Sequence, residues 1–247
     1  MFTFSLKNKS VHSKSKTVIA AALLLLLVGC NNDDDAMPTP TPPPPPPPPV
    51  EYSYSVTITN LTYAQPLSPL AVMLHGDSKM WMVGSMASAS LEILAEGGDN
   101  TDFIAQEGVI ASGSSDGVVL PGSAASVTLN TTDRSATFFT AATMLVNTND
   151  AFSGLTGVDI STMAIDDVKS WNLNVYDSGT EANSEAMGTI PGPADGGAGF
   201  DATRDDVDFI GLHSGVVSQD DGLSSSVLTQ AHRFDNPAIK LTITRTK

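Results

Sequence analysis

Residues 144–159 read MLVNTNDAFSGLTGVD. Met144, Leu145 and Val146 close the longest apolar run of the domain, residues 137–146, which also holds Phe138 and Phe139. A run without polar alternation suits a central strand buried on both faces. Asn147-Thr148-Asn149-Asp150 stops it, because short Asx side chains fold back on their own backbone at turns. Gly154 and Gly157 then predict a second turn, ending on Asp159. The stretch therefore reads as a buried strand, a turn rich in oxygen acceptors, and a further acidic turn.

Working outward, the flanking segments alternate. Tyr52, Tyr54, Val56 and Ile58 interleave with Ser and Thr, as a half-buried strand requires. Val127 and Leu129 mark another strand after the Pro121-Gly122 turn. Trp171, Leu173 and Val175 mark one more, and Ile239, Leu241 and Ile243 the last. Residues 68–75 form a second apolar run. Ala87, Leu91 and Leu94 have helical spacing, with Ser85 as a capping residue and Gly97-Gly98 as the stop. Asp99 is placed to cap a short helix through Gln106. Short strands, little helix and many Gly, Ser and Asp turns predict an all-β antiparallel sandwich with short helical insertions. Residues 177–237 are mostly Gly, Asp and Ser, with only residues 209–212 strand-like.

The N-terminus is organised differently. Lys7, Lys9, Lys14 and Lys16 precede a short apolar run, residues 17–28, too short for a permanent span. It ends in Leu27-Val28-Gly29-Cys30, which resembles the lipobox of bacterial lipoproteins. That resemblance implies a signal peptide at 1–29 and lipidation of Cys30, the only cysteine. A lipidated Cys30 leaves the domain without thiol chemistry. Asn31 after the cysteine fits an outer-membrane destination in the bacterial envelope. Residues 30–50 read as a linker: Asp33, Asp34 and Asp35, then eight consecutive prolines at 42–49. Polyproline rises about 3.1 Å per residue, so those eight span roughly 25 Å. Residues 51–247 are then one domain, large enough to bury a core.

The chain has a net charge of −15, with 27 acids and 12 bases. The signal region removes four lysines and no acid, so 27 acids face 8 bases beyond it. Such a surface repels nucleic acid and anionic lipid headgroups. His-Glu-x-x-His, Gly-x-Ser-x-Gly and a phosphate loop ending in Lys are all missing from the sequence. His75, His213 and His232 are dispersed and read as core or surface residues. Asp201, Asp205, Asp206 and Asp208 lack the spacing of an EF-hand loop and read as a solvated loop.

Calcium suits the residue types better, because it takes oxygen ligands in flexible geometry. Sandwich strands bring distant turns together at one end. Asp150, Asp159 and Asp177 all lie on turns next to strands. The same Asx residues can equally cap those turns through their own backbone.

Several pieces, in order, resemble the spondin domain of F-spondin and mindin, a module that also occurs in bacterial lipoproteins. They are Tyr54-Ser55-Val56-Thr57-Ile58-Thr59-Asn60-Leu61, Leu67-Ser68-Pro69-Leu70, and Leu91-Glu92-Ile93-Leu94-Ala95-Glu96 with Gly98-Asp99. Residues 143–159 follow, then Tyr176-Asp177-Ser178-Gly179-Thr180-Glu181-Ala182-Asn183, Ile190-Pro191-Gly192-Pro193 and Asn236-Pro237-Ala238-Ile239. The resemblance covers most of residues 51–247 and implies a C2-like antiparallel sandwich, bound calcium and a role in adhesion. It implies Asp150 and Asp177 as metal ligands and Asp159 as a residue behind them. The upstream glutamate of animal members has no counterpart in Leu129-Asn130-Thr131-Thr132, where Asn130 offers the oxygen. Cysteines of the animal members are also missing.

Together these features point to a non-enzymatic, envelope-anchored, calcium-binding recognition or adhesion domain facing the extracellular side. Its expected partner is a cell-surface or matrix protein or glycan, with the membrane held through the lipid. The alternative is an envelope hydrolase or carbohydrate-binding accessory protein with His75 or His213 in a cleft.

Overall fold

The structure is a computed structural model that describes residues 42–76 and 79–247. Cys30 and the signal region lie outside those residues. The chain divides into two units, Met1–Pro46 and Pro47–Lys247. Residues 42–46 of the first are exposed and irregular. Among the described residues no helix is long and apolar enough to cross a membrane.

The second unit is a sandwich of two antiparallel sheets. Four strands, β1 (Tyr52–Asn60), β4 (Ala124–Thr131), β7 (Val168–Leu173) and β10 (Ile239–Arg245), pair in the order β4-β1-β10-β7. The second sheet holds β2 (Ala71–His75), β3 (Val109–Ser114), β5 (Phe138–Met144), β6 (Ala151–Asp159), β8 (Val175–Asp177) and β9 (Gly211–Leu212). Their order is β3-β2-β5-β6-β8-β9. Alternation in β1 and β10 places Val56, Ile58, Leu241 and Ile243 inward, all fully buried. They meet Val72, Leu74 and Phe139 from the facing sheet. Each such side chain contributes about 1.5–3 kcal/mol relative to exposure.

The larger sheet is also covered on its outer face. Helix α1 (Ala89–Gly97) lays Leu91 and Leu94 against Met73, Ala142 and Phe152, with Trp81 and Phe103 alongside. That second apolar layer is why β2 and β5 are buried on both sides and read as continuous apolar runs. Ser88, not Ser85, caps α1, its hydroxyl accepting from the Leu91 N–H. Gly98 closes the helix, its N–H returning to the Leu94 carbonyl. Residues 101–105 are turns rather than a helix.

Three features differ from the pattern. Ala151–Asp159 is one strand, not a turn. Gly154 is needed for packing: a Cβ there would lie 2.1 Å from the Ala141 carbonyl oxygen. Gly157, at φ +62°, follows an irregularity in the pairing of β6 with β5 between Phe139 and Ala141. The glycines thus mark a bulged strand. The 168–177 strand splits at Asn174, where the chain leaves the four-stranded sheet and joins the six-stranded one. β3, rich in Gly and Ser, is an edge strand without an apolar signature.

Candidate functional site

The two ends of the sandwich differ. At one end Asn60, Gln65 and Asn147 bind together the start of β6 and the end of β1. The Asn60 side-chain amide donates to the Gln65 and Val119 carbonyls at 2.8 and 3.0 Å. Gln65 Nε2 donates to the Asn147 carbonyl, and its Oε1 accepts the Asn147 N–H. Thr148 Oγ1 donates to the Leu145 carbonyl and accepts from Ala151 N–H. The turn between β5 and β6 is thereby fixed, with Asn147, Thr148, Asn149 and Asp150 all buried.

Asp150 is fully buried. Its Oδ2 accepts from the Ser178 hydroxyl at 2.8 Å, the Thr180 N–H at 2.9 Å and the Glu181 N–H at 3.2 Å. Its Oδ1 has no hydrogen-bond partner. These donors come from the turn after β8. Gly179 permits that turn: it sits at φ +73°, with room for a Cβ removed by the Phe209 carbonyl oxygen 2.3 Å away. Burial, then the nearby Asp177 charge, push the Asp150 carboxyl up to about 7 against the pull of these hydrogen bonds.

Two glutamates complete the cluster. Glu96, at the end of α1, is fully buried. Its Oε2 accepts from the Asp201 N–H at 2.9 Å, while its Oε1 has no partner. Burial raises its pKa. Glu181 is pushed up to about 8, first by burial and then by the charges of Glu96 and Asp150, with Asp205 and Asp201 adding. The Thr180 hydroxyl lies against both Asp150 and Glu96. Glu96 and Asp150 oppose the ionisation of Glu181, and Asp177 opposes that of Asp150, which is the electrostatic signature of a place that a cation would relieve.

Asp177 stands opposite Ala151 in the β6–β8 register, next to Asp150. Its own oxygens are engaged: Oδ1 accepts from Gly179 N–H at 2.8 Å and Oδ2 from Asn183 Nδ2 at 2.5 Å. Asp159 and Asn130 are elsewhere. Asp159, exposed at the far end of β6, accepts from Ser161 N–H. Asn130 pairs with Ser53 at the opposite end of β1 and is exposed. Strand direction explains both: nine residues of β6 carry the chain from Asp150 to Asp159, about 30 Å at 3.3 Å per residue. The structure therefore groups Asp150 with Glu96 and Glu181, leaves Asp177 beside them, and removes Asp159 and Asn130. Sequence reasoning missed Glu96, because its place just before the helix-stopping Gly97-Gly98 reads as an ordinary exposed helix end. Sequence reasoning also missed Glu181, for which the available pointer is its place just after the Asp177 turn.

The loop at 201–208 is built into this end. Arg204 ion-pairs with Glu92 and with Asp208, and donates to the Ala87 carbonyl. Asp205 accepts from Ala182 N–H. Its acids thus fix the cover over α1 instead of being simply solvated. Of the histidines, His75 Nε2 meets the Thr140 hydroxyl at 2.9 Å and His213 Nε2 meets Asn183 Oδ1 at 3.1 Å. His232 Nδ1 accepts from Thr229 N–H.

Calcium takes about 6–8 oxygen ligands. Among the described residues no group of three or more His, Cys, Asp or Glu side chains is placed to hold a metal as they stand. What is present is a pair of buried, unpaired carboxylate oxygens, Asp150 Oδ1 and Glu96 Oε1, with Glu181 and neutral oxygens around them. Hard anionic oxygens of this kind fit calcium by type. Comparison of the chain with protein-family models and with curated proteins returned no match.

Proposed function

We propose that the chain is a calcium-binding, non-enzymatic recognition domain of the spondin type, displayed from a bacterial envelope by a lipid on Cys30 and a proline spacer. The observation that carries the calcium reading is the pair of unpaired buried oxygens on Asp150 and Glu96. A buried carboxylate oxygen without a partner is costly unless an ion or water meets it. Asp150, Glu96 and Glu181 would hold the ion, with Thr180 and the backbone of the Asp150 turn supplying neutral oxygens. Calcium there would fasten α1, the start of β6 and the turn after β8 to one another. Those are the elements that frame this end of the sandwich, so the ion would stiffen a recognition surface. Order of the pieces from Tyr54 to Ile239 supports the spondin-type reading.

Isothermal calorimetry of the chain with calcium tests the proposal. Saturable binding near one ion per chain, lost in Asp150→Ala and in Glu96→Gln, is expected. No heat above dilution up to millimolar calcium would overturn it.

A further inference from the structure

The opposite end of the sandwich carries a cavity of different chemistry. Between the sheets, at the mouth formed by the start of β1 and the end of β10, lies a cavity of about 220 Å³. Tyr52, Tyr54, Asp133, Arg134, Ser161 and Arg245 contribute to its wall. Ala136, small and buried, also lines it.

Two arginines in one cavity are notable in a chain with a net charge of −15. Arg245 is held in place, whereas Arg134 is free to move onto a ligand. Arg245 lies over the Tyr52 ring at 4.9 Å. Its Nη1 donates to the Met163 carbonyl at 2.5 Å and its Nε to the Lys247 carbonyl at 2.9 Å. Its Nη2 makes no protein hydrogen bond among the described residues. Arg134 sits on a turn closed by Asp133, whose Oδ1 accepts the Ser135 N–H and hydroxyl. The Arg134 side chain makes no ion pair or hydrogen bond among the described residues, and it is exposed. Tyr54 is 4% exposed, and its hydroxyl has no protein partner among them. Nearby acids are engaged: Asp159 holds Ser161 N–H, and Glu51 pairs with Lys247. Unused guanidinium donors, a phenol and a remaining carboxylate oxygen of Asp133 therefore converge on one small space.

We propose that this cavity binds an acidic saccharide. A carboxylate or sulfate sits between the guanidinium fork of Arg134, which matches planar and tetrahedral anions, and the remaining Nη2 donor of Arg245. Sugar hydroxyls donate to Asp133 and meet the Tyr54 hydroxyl, which both donates and accepts. The wall of aromatic ring and aliphatic stems suits the apolar face of a pyranose. The site is independent of the calcium reading, because it lies at the other end of the strands.

Binding of sodium glucuronate to the intact chain, followed by ligand-observed NMR, tests this, with glucose and inorganic sulfate as comparison probes. Glucuronate is expected to bind saturably and at least tenfold more tightly than either comparison ligand. Arg134→Ala is expected to weaken glucuronate about tenfold with no change in Tm, since that side chain packs on nothing. Arg245→Lys keeps the charge but loses the Nη2 donor that the two carbonyl contacts hold in place, and is expected to weaken it several-fold. Glucuronate binding should be the same in calcium and in EDTA. Glucose binding as tightly as glucuronate, or an Arg134→Ala chain that binds unchanged, would overturn the proposal. Sulfate binding as tightly as glucuronate would overturn the saccharide assignment and leave an anion site alone.

Discussion

Replacing Asp150 with asparagine should stabilise the metal-free protein at pH 8 and remove its response to calcium. The Asp150 carboxyl is fully buried and pushed up to about 7 by burial and by Asp177. In the unfolded chain it titrates near 3.9. A folded-state pKa above the unfolded one means that the folded state binds more protons between those values. Stability therefore falls as pH rises from about 4 to about 7, and the full cost is present above about 7. Three pKa units correspond to roughly 4 kcal/mol. Asparagine keeps an oxygen for the Ser178, Thr180 and Glu181 donors. Its amide nitrogen takes the place of the unpaired Oδ1, which returns about 1–3 kcal/mol unless Glu96 accepts from it. A net gain of about 1–3 kcal/mol at pH 8 remains, or roughly 2–10 °C in Tm for a domain of this size. Thermal unfolding in EDTA at pH 5 and pH 8, with and without the substitution, measures it. Wild type should gain stability on going from pH 8 to pH 5, and the variant much less. A variant less stable than wild type at pH 8, together with a wild type that weakens toward pH 5, would refute the reasoning.

Other outcomes follow from the same geometry. Glu96→Gln should raise metal-free stability at pH 8 and weaken calcium at least tenfold, read by a calcium titration of Tm. Asp159→Ala and Asn130→Ala should leave the calcium response unchanged, because both residues stand at the opposite end of the strands. Gly154→Ala should cost several kcal/mol or abolish soluble expression, since its Cβ would meet the Ala141 carbonyl oxygen at 2.1 Å. Cys30→Ser should abolish incorporation of labelled fatty acid into the chain in a bacterial host.

Strand periodicity made the sandwich legible. In β1, β4 and β10 one face meets the core and the other meets water, so the alternation is in the residues themselves. The continuous apolar run of β5 identified the doubly covered centre of the sheet. Local signals failed where tertiary contact decides. Gly154 and Gly157 look like turn residues, yet one yields space to a neighbouring backbone and the other bends a strand. β3 has no apolar pattern because it is an edge strand. At this end of the sandwich, the placing of Asp150 on the turn after β5 and of Asp177 at a strand end was legible from the residues themselves. Glu96 was not, because a glutamate at the end of an amphipathic helix normally faces water. The loop at 201–208, bound back by Arg204 and Asp201, and Thr180 cover it. Asp159 and Asn130 were misplaced because residue type says nothing about which end of a strand a side chain occupies.

A crystal structure of the chain grown with calcium tests the central proposal most directly. The prediction is an ion about 2.3–2.6 Å from Asp150 Oδ1 and from Glu96 Oε1, with Glu181 drawn in as a further ligand. A crystal in millimolar calcium that shows no ion density between Asp150 and Glu96, or shows it only at Asp159 and Asn130, would contradict it.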